Sequence, residues 1–321
     1  MPVPIPGNPL GYTLVYAIDS PKGPVLVDAG WNHPDAWAAL RGGLLSLGIE
    51  VGSVSGVVVT HFHPDHAGLA GQVREASGAW IAMHEADAAL VKLMRGFAEE
   101  EHHDFQADML RRAGAPAEEV GAAAGQRPWV PAQPDRELRD GDLVDVPGRT
   151  LRAIHTPGHT PGHLCLHLAD ADRLFTGDHV LPGITPHVGI YPYDRDDVDP
   201  LGDFLTSLER VADLGGDRLL TALPAHEWIF PDVAARAAEI RHHHEEKLST
   251  LAGLLADRAE PPTIWETAAM MTWNKPWEDL PPMLRGMAAG EAAAHLRALE
   301  ARGHIRRVQG VDPVRFQALD S

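Results

Sequence analysis

The sequence predicts a mixed α/β protein, on three observations. Short apolar runs bounded by glycine, proline and aspartate alternate with longer stretches of helical period through most of the chain. The apolar run Val54-Ser55-Gly56-Val57-Val58-Val59 ends directly on Thr60-His61-Phe62-His63-Pro64-Asp65-His66, a buried strand stopping at a cluster of imidazoles and a carboxylate. After Pro261-Pro262 the alternation gives way to helices and one terminal hairpin.

Taken in order, strands are expected over 12–18 and 24–28, joined by a turn at Ser20-Pro21-Lys22-Gly23. A helix over about 34–47 precedes the strand 54–59. Beyond the histidine string come a helix at 68–77 and a strand at 80–83. Three helical segments, near 85–96, 99–113 and 116–124, then interrupt the strand series. The middle one carries Glu99-Glu100-Glu101-His102-His103-Asp104, which reads as a solvated helix face, or as part of a lid or pocket wall over a site. Strands resume at 142–146 and 151–155 after the turn signal Asp140-Gly141, and 164–168 pairs with 174–176 across Asp170-Ala171-Asp172. A helix at 200–214 leads to a strand at 218–223, and a helix from Pro231 runs to about Leu255 with His242, His243 and His244 on a solvated face. In the tail, Thr263 caps a short helix to Met271, and an amphipathic helix over 291–302 is closed by Gly303. Two strand-like runs follow, 305–308 and 314–319.

The 321 residues suggest one large or two ordinary domains. With 44% apolar and 22% charged residues and no apolar run long enough to span a bilayer, a membrane role is not expected. The start, with Pro2, Pro4 and Pro6 and no basic residue before Lys22, does not match a signal peptide. The single cysteine, Cys165, excludes internal disulfides and reads as a small buried hydrophobe in the run 164–168. Together these features predict a cytoplasmic protein. Formal net charge is −18, which repels polyanions at long range. From Glu245 onward there are nine basic and eleven acidic residues, so nearly all of the acidity lies before that point.

His61 and His63 are two apart and point the same way on an extended segment. Asp65 and His66 follow Pro64, where the chain must turn, and can face a second point nearby. Three later positions complete a dinuclear set: His159 in the loop His155-Thr156-Pro157-Gly158-His159-Thr160-Pro161-Gly162-His163, Asp178 in Phe175-Thr176-Gly177-Asp178-His179, and His226 in Leu223-Pro224-Ala225-His226-Glu227. Each sits at the end of an expected strand. Asp28, ending another, is a partner for a ligand histidine or a turn cap.

In this order the residues resemble the metallo-β-lactamase superfamily, whose pattern is His-x-His-x-Asp-His, then His, Asp and His, over roughly residues 10–245. The resemblance implies an α+β fold, a four-layer αββα sandwich, spanning 1–245 with a helical insertion at 85–125. It also implies that His61, His63 and His159 hold one metal, that Asp65, His66 and His226 hold a second, and that Asp178 bridges both. The tail, 246–321, with Ala293-Ala294-His295-Leu296-Arg297-Ala298-Leu299 and Gly303, resembles the winged-helix extension of the β-lactamase-like protein 2 subgroup.

Nitrogen and carboxylate ligands without thiolate suit two Zn²⁺ ions, and Mn²⁺ or Fe²⁺ also fit. Two such ions share a water whose pKa falls toward ~7, giving hydroxide for attack on an acyl or phosphoryl centre. Asp65 is the residue placed to ligate and to orient that nucleophile or accept its proton. Dinuclear enzymes of the true β-lactamase type generally lack an aspartate at the position of Asp178, so the resemblance points to glyoxalase II-like hydrolysis of a thioester or other carboxylic ester. In the segment after Asp178, His187, Tyr191 and Tyr193 can donate to a developing oxyanion or simply pack the loop. The rival expectation is a metal-dependent endoribonuclease cutting single-stranded RNA, with Arg297, Arg302, Arg306, Arg307 and Arg315 near the wing as phosphate contacts. A nucleic-acid-binding module with one structural metal needs only four ligands and leaves three of the seven unexplained. A homo-oligomer is compatible with all three.

Overall fold

The computed structural model describes residues 1–99, 104–125, 129–191, 195 and 197–319, with the side chains of 97–99 left aside. Glu100 to His103 of the charged run and Tyr193 therefore lie outside the described residues. In chain order the strands are β1 (Pro2–Pro4), β2 (Tyr12–Leu14), β3 (Tyr16–Ile18), β4 (Val25–Val27), β5 (Gly56–Val58), β6 (Trp80–His84), β7 (Arg136–Leu138), β8 (Leu151–His155), β9 (Leu164–Leu168), β10 (Arg173–Gly177), β11 (Thr221–Pro224), β12 (Ile305–Arg307) and β13 (Phe316–Ala318). The helices are α1 (Pro34–Ser46), α2 (Pro64–Ala67), α3 (Ala70–Ser77), α4 (Glu85–Glu99), α5 (Phe105–Ala113), α6 (Ala117–Ala123), α7 (Pro200–Asp213), α8 (Val233–Ala256), α9 (Ile264–Met270) and α10 (Pro282–Ala301).

The chain divides into two compact units. The first comprises Met1–Glu99, Pro128–Pro186 and Thr206–Ile240, and the second comprises Glu100–Arg127, His187–Leu205 and Arg241–Ser321. In the first unit, β3-β4-β5-β6-β7 form one sheet, antiparallel at β3–β4 and parallel thereafter. A second sheet runs β11-β10-β9-β8, parallel only at β10–β11. Their facing side chains share one core: Val25, Val27 and Val58 from the first sheet meet Leu164, Leu166 and Phe175 from the second. β4 and β5 read as unbroken apolar runs because both their faces are buried. Gly56 is required in β5, since a Cβ there would stand 2.2 Å from the ring of Trp80 on β6.

Several expected elements differ in detail. The single strand over 12–18 is two, because the chain changes partners at buried Val15: β2 pairs with β1, and β3 with β4. The run 142–146 makes only an isolated bridge, Leu143 to Arg152. Its alternation is that of a strand, yet the Val146 N–H turns back to the Val144 carbonyl just before Pro147, so no ladder extends. β7, whose Arg136-Glu137-Leu138 carries no apolar pattern, was not expected.

The second unit holds α5, α6, α9 and α10 and a short antiparallel hairpin, β12–β13. Thr263 caps α9 as expected, in a capping box: the Glu266 N–H donates to its hydroxyl, and the Glu266 carboxylate accepts from the Thr263 N–H. His242 and His243 are exposed, but His244 is buried, against the ring of Phe204 and 3.4 Å from His295. The 3.6-residue period of α8 places it in line with buried Leu248, Leu251 and Leu255. Among the described residues no helix is long and apolar enough to cross a membrane.

Candidate metal centre

All seven predicted ligand residues fall in the first unit, just beyond the ends of strands. His61 and His63 leave the end of β5, and Asp65 and His66 occupy α2, which Pro64 opens. His159 lies in the loop between β8 and β9, Asp178 follows β10, and His226 follows β11. These strand ends draw residues more than 160 positions apart in the chain into one cluster.

The first group is a triangle of imidazole nitrogens. His61 Nε2 is 2.9 Å from His63 Nδ1, and His159 Nε2 is 3.1 Å from the first and 3.0 Å from the second. The second group contains Asp65, His66 and His226: Asp65 Oδ2 lies 3.5 Å from His66 Nε2 and 3.3 Å from His226 Nε2. Asp178 faces both. Its Oδ1 is 3.5 Å from His66 Nε2 and 3.3 Å from His226 Nε2, while its Oδ2 is 3.6 Å from His159 Nε2.

Protons alone do not satisfy this arrangement. In a triangle of neutral imidazoles, one shared proton serves one edge and leaves lone pairs facing elsewhere. A small divalent ion with nitrogen ligands at about 2.0–2.1 Å resolves the conflict, since tetrahedral ligands then stand about 3.3 Å apart. His66 Nε2, His226 Nε2 and Asp178 Oδ1 are buried and lack hydrogen-bond partners of good geometry, as expected of atoms aimed at a cation. The residues present fit two metal ions.

Surrounding groups set which ring nitrogen faces inward. His66 Nδ1 donates to Asp28 Oδ2 at 2.8 Å, and His226 Nδ1 donates to the Tyr12 carbonyl at 2.9 Å, so each presents Nε2 to the cluster. Asp28 is the partner of a ligand histidine, the first of the two roles expected for it. It holds His66 and also accepts from the Thr60 N–H at 2.8 Å, with its own backbone left-handed at φ 61°. Sequence reasoning passed over His163, which is fully buried. Its Nε2 accepts the Asp178 N–H at 3.2 Å, and its Nδ1 donates to Thr156 Oγ1 at 2.8 Å. Gly177 makes room for it, since a Cβ there would sit 2.6 Å from that Nε2. The required glycine just before Asp178 was the available signal.

The two groups differ electrostatically. Burial, reinforced by neighbouring imidazoles, presses His61 and His63 well below the ordinary histidine range. For His66 and His226 burial acts in the same direction, but the carboxylates outweigh it: Asp65, Asp178 and Asp28 hold His66 well above its ordinary value, and Asp178 and Asp65 raise His226 to about 10. Burial alone would raise Asp65 and Asp178, yet the same two imidazoles hold both below the usual carboxylate range.

The sequence profile of the metallo-beta-lactamase superfamily matches residues 8–264. The chain belongs to the metallo-beta-lactamase superfamily. Among solved structures in that superfamily, a metallo-beta-lactamase family protein from Thermus thermophilus is 33% identical with a TM-score of 0.79, covering 99% of this chain and 97% of that one. An acyl-coenzyme A thioesterase, MBLAC2 of Bos taurus, is 33% identical over 170 residues, 53% of this chain and 54% of that protein. An atrochrysone carboxyl ACP thioesterase of Claviceps purpurea (strain 20.1) is 25% identical over 224 residues, 70% of this chain and 54% of that protein. The chain spans 54–63% of the length of the curated relatives it matches.

His187 and Tyr191 belong to the second unit. There His187 Nδ1 lies 3.4 Å from Glu291 Oε2, and the ring of Tyr191 packs edge-on to His187 at 6.5 Å. Glu291 also pairs with Lys247 at 2.6 Å.

Proposed function

We propose that the protein is a metal-dependent hydrolase acting on a thioester or other carboxylic ester. In this reading His61, His63 and His159 hold one divalent ion, Asp65, His66 and His226 hold a second, and Asp178 is shared. The observation that carries it is the placement of the two Asp178 oxygens, one toward each group. Zinc suits the donor set, with manganese or iron as alternatives. Two such ions, when bound, supply hydroxide near neutral pH and polarise the oxygen under attack.

The residues of the chain do the rest. Asp28 and the Tyr12 carbonyl hold His66 and His226 in the tautomer that leaves Nε2 basic. Asp65 accepts a hydrogen bond from Thr13 Oγ1 at 3.3 Å and keeps 14% of its side chain exposed, whereas His66 is fully enclosed, so Asp65 is placed to orient water and take its proton. The tail is read as a winged-helix-like module.

Thioester chemistry is favoured over RNA cleavage by the named activities of the two thioesterases and by the state of the tail arginines. Arg302 is bound by Glu245, Arg307 by Glu300, and Arg315 by Glu266 and the Pro261 carbonyl. Arg297 donates to the carbonyls of Arg195 and Val198. Such engaged side chains make a poor phosphate track.

The test is a hydrolysis panel on metal-replete protein: acyl-CoA thioesters, lactones, simple esters, phosphodiesters and single-stranded RNA. Thioester or ester turnover that is lost in Asp178→Ala is the expected result. Cleavage of RNA alone, weakening steeply with salt, would overturn it in favour of the nuclease.

A further inference from the structure

We propose that Asp87 is a positioning residue that sets the geometry of the three-histidine group by tying its two backbone segments together. This rests on the two-ion reading above. Asp87 lies in the first turn of α4 and is fully buried. Its carboxylate takes three donors. Oδ2 accepts the backbone N–H of Phe62 at 3.0 Å and the hydroxyl of Thr160 at 2.9 Å, and Oδ1 accepts the backbone N–H of Gly162 at 2.6 Å.

Those donors are the link. Phe62 lies between His61 and His63, while Thr160 and Gly162 follow His159 by one and three residues in the same loop. One buried carboxylate therefore fixes, through backbone, the relative position of all three nitrogens in the triangle. The approach is tight. A Cβ on Gly162 would stand 2.5 Å from the Asp87 N and 2.6 Å from its Oδ1, so only glycine permits the third bond. Burying a carboxylate is costly, and its place near a helix N-terminus together with three donors offsets that cost. Burial still pushes the carboxyl up to about 7, with the three donors pulling against it.

An isosteric asparagine keeps the volume but turns one acceptor into a donor, so at least one of the three bonds is lost. Alanine loses all three. Stepwise affinities for Zn²⁺ are to be measured by chelator competition on Asp87→Asn, Asp87→Ala, Thr160→Val and Thr160→Ser, alongside the d–d spectrum of the Co²⁺-loaded proteins and thermal unfolding of each metal-free protein. The expected result is selective weakening of one ion, about tenfold or more, the range for groups that orient ligands. Alanine should weaken it more than asparagine, and Thr160→Ser should restore what Thr160→Val loses. The Co²⁺ spectrum of that site should change while the second ion's affinity holds.

Equal weakening of both ions, or a lowered unfolding temperature with unchanged affinities, would overturn the proposal and leave Asp87 a residue of the fold alone. If Asp87→Ala does not fold, Asp87→Asn and the Thr160 pair decide. Wild-type protein that binds no divalent ion would end this proposal and the two-ion reading together. Protein that binds two ions, loses one selectively in Asp87→Asn and hydrolyses no ester would remove the proposed function and leave this one standing.

Discussion

The two halves of the candidate centre are built on opposite principles. His61, His63 and His159 form an all-imidazole group in which burial and the neighbouring rings keep His61 and His63 neutral. Asp65, His66 and His226 form a mixed group in which carboxylates keep the imidazoles charged in the absence of an ion. A cation entering the first group meets lone pairs already bare, whereas one entering the second must displace protons. Each half is also held differently: the first through the backbone contacts of Asp87, the second through side-chain partners such as Asp28. Asp178, with an oxygen toward each, is where the two designs meet.

The comparison can be broken most severely at Asp178. Asp178→Ala should lower kcat/KM for the cleaved ester by more than roughly 10²-fold, beyond the range for groups that only orient ligands, and should weaken both ions in metal analysis. Single-group changes should separate the halves. His61→Ala and His226→Ala are each expected to lower the metal content from about two ions per chain to about one, with the remaining ion at the other half. A smaller effect is expected from Asp28→Asn, which leaves His66 without its carboxylate partner. It should weaken the second ion alone by about 10–100-fold in a chelator competition.

The mildest effect is in pH dependence. His226 in the metal-free protein holds its proton up to about 10, so a metal ion binding there near neutrality releases protons, and affinity rises with pH until that value is passed. His61 and His63 of the first group titrate well below 6.5, so its affinity should be nearly flat from about pH 7 to 9. Calorimetry in buffers of different ionisation enthalpy should therefore find proton release for one binding event and little for the other. Equal release from both would erase the contrast.

Much of the centre was legible in the sequence because its residues sit where strands end, and strand ends are marked by apolar runs stopping at glycine, proline or a polar residue. His61 to His66, Asp178 and His226 all carry that mark. Their spacing placed two groups on one short segment, and the structure puts them at two adjacent points. Less legible were residues whose role depends on a contact from a distant segment. Asp87 looks like an ordinary acidic residue in a helix's first turn, and nothing local shows that it lies under two loops. His163 sits four residues after His159 in a histidine-rich stretch, and only its position against the Asp178 N–H separates it from its neighbours. His244 was misread for a related reason, since three consecutive histidines look like a solvated face until the helix phase is fixed by Leu248 and Leu251. Edge strands failed in both directions: β7 lacks apolar alternation, while 142–146 has it without a ladder.

The central claim, one shared carboxylate between two unlike metal sites, is tested most directly by anomalous diffraction at the zinc edge on zinc-loaded crystals. Two peaks are predicted, one among His61, His63 and His159 and the other among Asp65, His66 and His226, each within bonding distance of a different Asp178 oxygen. A single peak, or two peaks of which one makes no contact with Asp178, would contradict it.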